Sequence, residues 1–260
     1  MMDFIKSLLS KKREELKREN LTMSYELPKR EEVFESKVDK EKLQQKLHDN
    51  YERNKELYEA SKKKENPTVK RTSSSTITYL KGKKAVQKSF VVFDIETTGL
   101  SPHDDEIIEI GAIRVDDINA SSHTTYQELI KPSCRISSRI TSITGITNDM
   151  LENCNSIDHH IKEFKEFIGD LPIVAHNASF DCGFMSHTFK KHGLEFNNHV
   201  IDTLQLSRKA LPQLENHKLT TIKKHLCIKS DRDHRALDDA IATLRVYAFS
   251  IDELYNVFKK

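Results

Sequence analysis

The chain has only four cysteines, Cys134, Cys154, Cys182 and Cys227, and no two stand at C-x-x-C spacing. They read as reduced core or surface thiols in a reducing compartment. No apolar run reaches the roughly 18 residues needed to span a bilayer. The stretch Met1–Leu9 is interrupted by Asp3 and Lys6 and followed by acids as well as bases, which fits neither a secretory signal nor an acid-poor transit peptide. There is no G-x-G-x-x-G and no G-x-x-x-x-G-K-[ST], so a dinucleotide or nucleoside-triphosphate loop is excluded. No internal repeat is visible. These absences leave a cytoplasmic chain with no membrane partner, long enough at 260 residues for one large core and an appendage.

Charge is divided unevenly along that length. Residues 1–89 carry 23 Lys+Arg against 15 Asp+Glu, whereas residues 90–260 carry 19 against 25. The first part has few core signals: Phe4, Ile5, Leu8, Leu9 and Leu16 fit one face of a short amphipathic helix, and Phe34, Val38, Leu43, Leu47, Tyr51 and Tyr58 a narrow stripe on a longer one. Neither stripe closes a core, so residues 1–65 read as a charged, helical or disordered N-terminal arm. Residues 66–89, with Pro67, Gly82 and the run Arg71–Thr76, read as a mobile Lys/Ser/Thr-rich linker. The globular domain is expected over residues 90–260. A basic arm ahead of an acidic domain can attract a phosphate chain or dock a partner.

Within the domain, three segments set acids beside apolar sequence. In the first, Phe90, Val91, Val92, Phe93 and Ile95 make a strongly apolar strand around Asp94, and a buried acid there needs a compensating partner. Asp94 and Glu96 stand at i and i+2 and project to the same side of an extended chain. Like charges that close repel unless a cation lies between them, and an all-oxygen ligand set favours magnesium or manganese over zinc. In the second segment, Pro172–Ala175 reads as a buried strand, followed by the turn His176–Asp181 and a helical run from Gly183 to His192. Asp181 then falls in the first helical turn, where the helix N-terminus favours negative charge. The third segment, Asp231–Asp239, opens a long helix whose apolar face includes Ala236, Ala240, Leu244 and Tyr247. His234 precedes Asp239 by a little more than one turn, which sets it on the leading loop or first turn. Asp238 and Asp239 lie about 100° apart around the helix; Asp239 is taken to face the site and Asp238 the solvent.

Together these segments resemble the DnaQ-like, DEDDh-type 3′-to-5′ exonucleases, a group that includes the proofreading exonuclease of bacterial DNA polymerase III in its epsilon-subunit and PolC-type forms. Asp94 and Glu96 fall on the D-x-E of the first motif, Asp181 on the aspartate of the second, and His234 and Asp239 on the H-x4-D of the third. Ile140–Thr147 looks like the family's loop and helix before the second motif, and Glu106–Ala112 like its second strand. No tyrosine lies between Asp231 and Asp239, so the histidine branch is the one matched. The likeness covers roughly residues 90 to 250.

The resemblance implies an RNase H-like α/β fold, a mixed five-stranded sheet with flanking helices, and two ions of Mg2+ or Mn2+ held by Asp94, Glu96, Asp181 and Asp239. It implies His234 as general base, since imidazole exchanges protons near neutral pH. It places Thr97, Thr98 and Gly99 at the border of the pocket for the terminal nucleotide and His176 in the lining of the site. Phe180 and Leu100 would pack on bases or sugars, with core packing the competing and commoner role of either residue taken singly. Thr144 falls where some relatives carry a histidine that touches the nucleotide. From the residues alone, Phe90–Ile95, Ile107–Val115 and Thr124–Ile130 read as consecutive strands, Ile161, Phe164, Phe167 and Ile168 mark a helix, and Val200–Thr203 reads as the last strand before helical pieces at Leu204–Leu211 and Leu219–His225.

The expected activity is metal-dependent release of nucleoside 5′-monophosphates from single-stranded or frayed DNA 3′ ends, with a polymerase or repair assembly as a partner through residues 1–89. An exoribonuclease trimming short RNA needs the same five residues. A nucleic-acid-binding or scaffold module with an idle nuclease fold is the alternative of another class, and it would be expected to lack one of the five, yet all are present.

Overall fold

Eight residues, Phe90–Thr97, form the central strand β1 of a five-stranded sheet ordered β3-β2-β1-β4-β5. The computed structural model describes residues 77–119, 123–228 and 234–258, all in one compact unit; the arm expected over residues 1–65 and the linker up to residue 76 lie outside the described residues. β2 (Ile107–Val115) and β3 (Thr124–Leu129) continue antiparallel from β1, whereas β4 (Ile173–Ala175) and β5 (Val200–Asp202) run parallel to it. The helices are α1 (Ser138–Thr144), α2 (Asn148–Leu151), α3 (Ile157–Ile168), α4 (Ser179–Lys191), α5 (Thr203–Ala210), α6 (Leu219–His225) and α7 (Ala236–Tyr255). This is the mixed sheet flanked by helices expected of an RNase H-like fold. Among the described residues no helix is long and apolar enough to cross a membrane.

The near-continuous apolar run of β1 is explained by burial on both faces. Val91, Phe93 and Ile95 pack in one cluster with Phe164 of α3 and Phe184 and Met185 of α4, while Phe90 and Val92 pack in another with Ala240, Leu244, Tyr247 and Ile251 of α7. The two-residue period of a strand extends that second row to Asp94 and Glu96. Both acids therefore stand on the α7 face of the sheet, just past the point where hydrophobic packing ends.

The expected linker ends earlier than residue 89. Leu80 N–H donates to the Val200 carbonyl at 2.8 Å and Val200 N–H to the Thr78 carbonyl at 2.9 Å, so residues 78–80 lie along the free edge of β5. A single 3-10 turn, Gly82–Ala85, follows, with Ala85 fully buried and Leu80 and Val86 packed on the α7 cluster. Tyr247 of α7 anchors this segment: its hydroxyl donates to the Ala85 carbonyl at 2.7 Å and accepts from Gln87 N–H at 3.0 Å. Residues 77–89 thus belong to the fold. Their composition hides this, because they are held by backbone pairing and by one distant tyrosine instead of by a hydrophobic period of their own. The helix expected from Gly183 also begins earlier, at Ser179, and the long helix begins at Ala236.

Candidate active site

Asp94 and Glu96 leave the carboxyl-terminal end of β1, where a β-bulge between Glu96 and Thr97 ends the regular pairing with β2. Opposite Asp94 in that pairing is Gly111. A Cβ built on Gly111 would lie 2.5 Å from Leu237 Cα and closer still to the backbone of Ala236, so only glycine lets the first turn of α7 rest against β2. That contact carries Asp239, in the same turn, to the acids of β1. The Glu96 and Asp239 carboxylates and the His234 ring each offer an atom within 4.8 Å of the others. His234 stands just ahead of α7 with a left-handed backbone, φ 57°, and is exposed. Asp181, in the first turn of α4, approaches from the other layer: its Oδ1 accepts from Ile95 N–H at 3.3 Å. That amide belongs to the row that faces β4, but pairing with β4 stops at Val92, so the carboxylate satisfies a donor the short neighbour leaves over.

Negative charge is in excess here. Burial, then the neighbouring Asp181, Glu96 and Asp239, push Asp94 well above the ordinary carboxylate range. Burial and the charges of Asp239, Glu109 and Asp181 push Glu96 up to about 8. Asp181 is pushed up to about 7 by burial, against the stabilising backbone donors. Groups that hold protons for want of positive charge are the donor set a hard dication fits, since such an ion removes the repulsion and the desolvation cost together. The convergent group of Glu96, His234 and Asp239, with Asp94 and Asp181 acting on it through their charges, fits a hard divalent ion on its chemistry.

Two side chains near the site escaped the motif reading. Lys223 of α6 is buried and its Nζ lies 3.1 Å from Asp239 Oδ1, an internal counter-charge for that acid. Glu109, the register partner of Glu96, is fully buried yet well satisfied: Arg235 grips it with Nε and Nη2, Gln127 donates at 3.0 Å and Ala236 N–H at 3.1 Å. Burial alone would raise its pKa, but these donors hold it below the usual value. The pair fastens the residue before α7 to β2, and so sets where Asp239 and His234 stand. Sequence carried a faint signal for Glu109, an acid inside the apolar run Ile107–Ala112, and none for Lys223, which lies on a short basic helix. Asp238 is half-buried and contributes to the field at Arg235, so it is not the solvated neighbour expected.

The residues expected to touch a nucleotide divide. Thr97, the last residue of β1, with Thr98 and Gly99 after it, forms a braced loop: Thr97 Oγ1 donates to the Gly99 carbonyl at 2.6 Å and Thr98 Oγ1 to Asp105 Oδ1 at 3.2 Å. A Cβ on Gly99 would meet the same Asp105 carboxyl, whose carbon lies 2.5 Å away. Leu100 projects from this loop with 84% of its surface exposed. Phe180 is half-buried, seated on the core and 5.0 Å from the Phe184 ring. His176 is held at both ring nitrogens: Nε2 donates to the His217 carbonyl and Nδ1 lies against Thr203 Oγ1, each at 2.9 Å. Burial lowers its pKa, which suits a neutral buttress. Thr144 differs most from expectation, being 3% exposed, with its hydroxyl donating to the Ile140 carbonyl and accepting from Ile146 N–H. It closes its own helix, and the exposed apolar residue of that turn is Ile143.

Gly111→Ala tests the seating of α7. Because the obstructing atoms are backbone, the loss is expected at the upper end of overpacking costs, about 3 kcal/mol, or a fall in melting temperature of about 6–12 °C at this size. An unchanged melting curve would show that α7 seats without needing the missing Cβ.

The sequence profile of the family described as Exonuclease matches residues 91–247. The chain is 44% identical over 158 residues to a DNA polymerase III PolC-type protein of Bacillus cereus, covering 60% of this chain and 11% of that protein. It is 46% identical over 170 residues to the corresponding protein of Thermotoga petrophila, covering 65% and 12%. The match thus spans about a ninth of those relatives' length. Among solved structures, exonuclease X in complex with 5′-overhanging duplex DNA aligns with a TM-score of 0.51 at 24% identity, over 63% of this chain and 91% of that one. E. coli exonuclease I in complex with a dT13 oligonucleotide aligns with a TM-score of 0.56 at 20% identity, over 65% and 42%. Likeness at that identity supports the fold, and the family match rests on sequence. The chain belongs to the DnaQ-like exonuclease family.

Proposed function

We propose that this member of a nuclease family is a metal-dependent 3′-to-5′ exonuclease that removes nucleoside 5′-monophosphates from single-stranded or frayed DNA ends. The observation that carries the reading is the convergence of Glu96, His234 and Asp239 within 4.8 Å, next to Asp94 and Asp181, at one end of the sheet. Asp94, Glu96, Asp181 and Asp239 would hold two ions of Mg2+ or Mn2+, which when bound supply Lewis acidity for the attacking water and the departing oxygen. His234 takes the proton of that water. Water oxygen bonds to phosphorus as its proton goes to His234, the bond from phosphorus to the 3′ oxygen of the preceding nucleotide breaks, that oxygen takes a proton from solvent to become the new 3′-hydroxyl, and His234 returns its own proton to solvent. The braced loop at Thr97–Gly99 and the exposed Leu100 and Ile143 border the place for the terminal nucleotide, with Phe180 and His176 behind it. The polymerase names of the relatives support a polymerase or repair assembly as partner, reached through the basic sequence ahead of residue 77. A cytoplasmic location accords with that reading.

End-labelled DNA and RNA oligomers of one sequence, incubated with Mg2+, Mn2+ or a chelator, test this directly. Stepwise mononucleotide release from DNA, abolished by chelation, is expected; turnover of RNA in preference to DNA would reassign the substrate, and full activity in chelator would end the metal reading.

The acid cluster also sets a pH dependence. Glu96 moves from 4.5 to about 8 and Asp181 from 3.8 to about 7 on folding. Their stability contribution is therefore complete below the unfolded values and is lost as pH rises through the folded ones. Metal-free protein should melt at a lower temperature at pH 8.5 than at pH 5.5, and Mn2+ should raise the melting temperature more at the higher pH, where fewer protons must be expelled. Equal Mn2+ shifts at both pH values would contradict this account.

A further inference from the structure

Deepening the nuclease reading and resting on it, we propose that a second cleft, beside the catalytic end of the sheet, holds the phosphate backbone of the strand 5′ to the cleaved linkage. This cleft, of about 550 Å³, is lined by Tyr79, Lys81, Asn177, Ser179, Gln205 and Lys209. Residues 78–80 run parallel to β5, so Lys81 emerges at the same end of the sheet as Asp94 from β1, His176 from β4 and Asp202 from β5. Asn177 and Ser179 belong to the turn that delivers Asp181, and the cleft and the acid site share that wall. At ~5 Å per strand the cleft lies ~10–15 Å from Asp94, the span of about three or four stacked nucleotides at ~3.4 Å each.

The chemistry of the lining suits a single strand. A polyanion approaching a site with surplus carboxylates needs cations nearby. Lys81 and Lys209 are exposed, and neither enters an ion pair among the described residues. Asn177, Ser179 and Gln205 are exposed too and add neutral donors for phosphate oxygens. The cleft also contains one acid, Asp202, whose Oδ1 accepts from Asn177 N–H at 3.1 Å and Leu204 N–H at 2.9 Å, so two backbone donors hold that oxygen at the cleft wall. Tyr79, 36% exposed, offers an aromatic surface on which any base can stack without regard to sequence.

The test uses the full chain and substrates of two lengths, a DNA dinucleotide and a single-stranded 12-mer. In the double variant Lys81→Gln/Lys209→Gln, KM for the 12-mer should rise about 10-fold at low salt, and the dependence of log KM on log salt should flatten by about 1.4, the loss of two phosphate contacts. Values of kcat, the melting temperature and dinucleotide turnover should stay within about twofold or a degree of wild type. Tyr79→Ala should cost about fivefold or more in KM for the 12-mer alone. An unchanged KM and salt slope in a folded variant, or parallel losses on both substrates, would overturn the proposal. Wild-type protein that cleaves neither substrate would count against the nuclease reading instead. Anisotropy of a labelled 12-mer in chelator then decides the cleft: the same loss of affinity and slope in the variant supports it, and no change removes it.

Discussion

Asp94→Asn is expected to abolish nuclease activity while making the metal-free protein more stable. Asp94 is the acid most surrounded by others, raised by burial and by four neighbouring carboxylates. An amide of the same shape removes that repulsion, so the melting temperature in chelator should rise, by about 2–4 °C for each kcal/mol relieved. The same change removes a dication ligand. Bound metal contributes several kcal/mol to the transition state, and about 1.4 kcal/mol is a factor of ten, so the rate should fall by roughly 10³-fold or more. The stabilisation by Mn2+ expected of the wild type should vanish as well. Opposite signs for stability and activity are what separates a site that holds repulsion for a cation from a structural acid. A variant that melts lower in chelator, or keeps its response to Mn2+, would remove Asp94 from the ion site.

His234→Ala is expected to lower kcat by about 10²- to 10⁴-fold, the usual worth of a general base, while leaving the Mn2+ shift in melting temperature largely intact. That second readout matters because the His234 ring lies within 4.8 Å of two carboxylates and would also be near enough to bind metal. A base loses rate and keeps ion affinity; a ligand loses both. The backbone offers a further control. His234 holds φ 57°, a conformation strained for any residue but glycine. His234→Gly should therefore match His234→Ala in lost rate but melt at a higher temperature, by a margin of about 1 kcal/mol in stability. Equal melting of the two variants would mean that the loop relaxes once the imidazole is gone. Rates within a few-fold of wild type in both would assign the proton to another group.

The acids were legible because each belongs to a short local signal. Asp94 and Glu96 share a strand and a two-residue period, Asp181 opens a helix after a buried strand, and Asp239 follows a histidine by just over a turn. The strands were legible for the same reason, since the apolar runs of β1 and β2 need burial on both faces. Residues 77–89 were not, because a parallel pairing to β5 and a hydrogen bond to Tyr247, 162 positions away from Ala85, leave no period in the segment itself. The setting of Thr144 was not legible for a related reason: a hydroxyl near a helix end can turn outward to a ligand or inward to its own backbone, and the inward hydrogen bonds are the ones made here.

The sequence by itself determined which residues bear charge, how they are spaced on each strand or helix, and the family to which the pattern belongs. Tertiary structure alone decided that Gly111 admits α7 against β2, that Arg235 and Glu109 fasten its first turn, that Lys223 faces Asp239, and that a lysine-lined cleft borders the acid site. Spacing along a chain is a local property set by backbone geometry, and the sequence states it directly. Proximity between residues on different elements, 126 positions apart for Arg235 and Glu109 or 16 for Lys223 and Asp239, depends on how buried surfaces pack, and a glycine or a lysine carries no mark of its neighbour until that packing is complete.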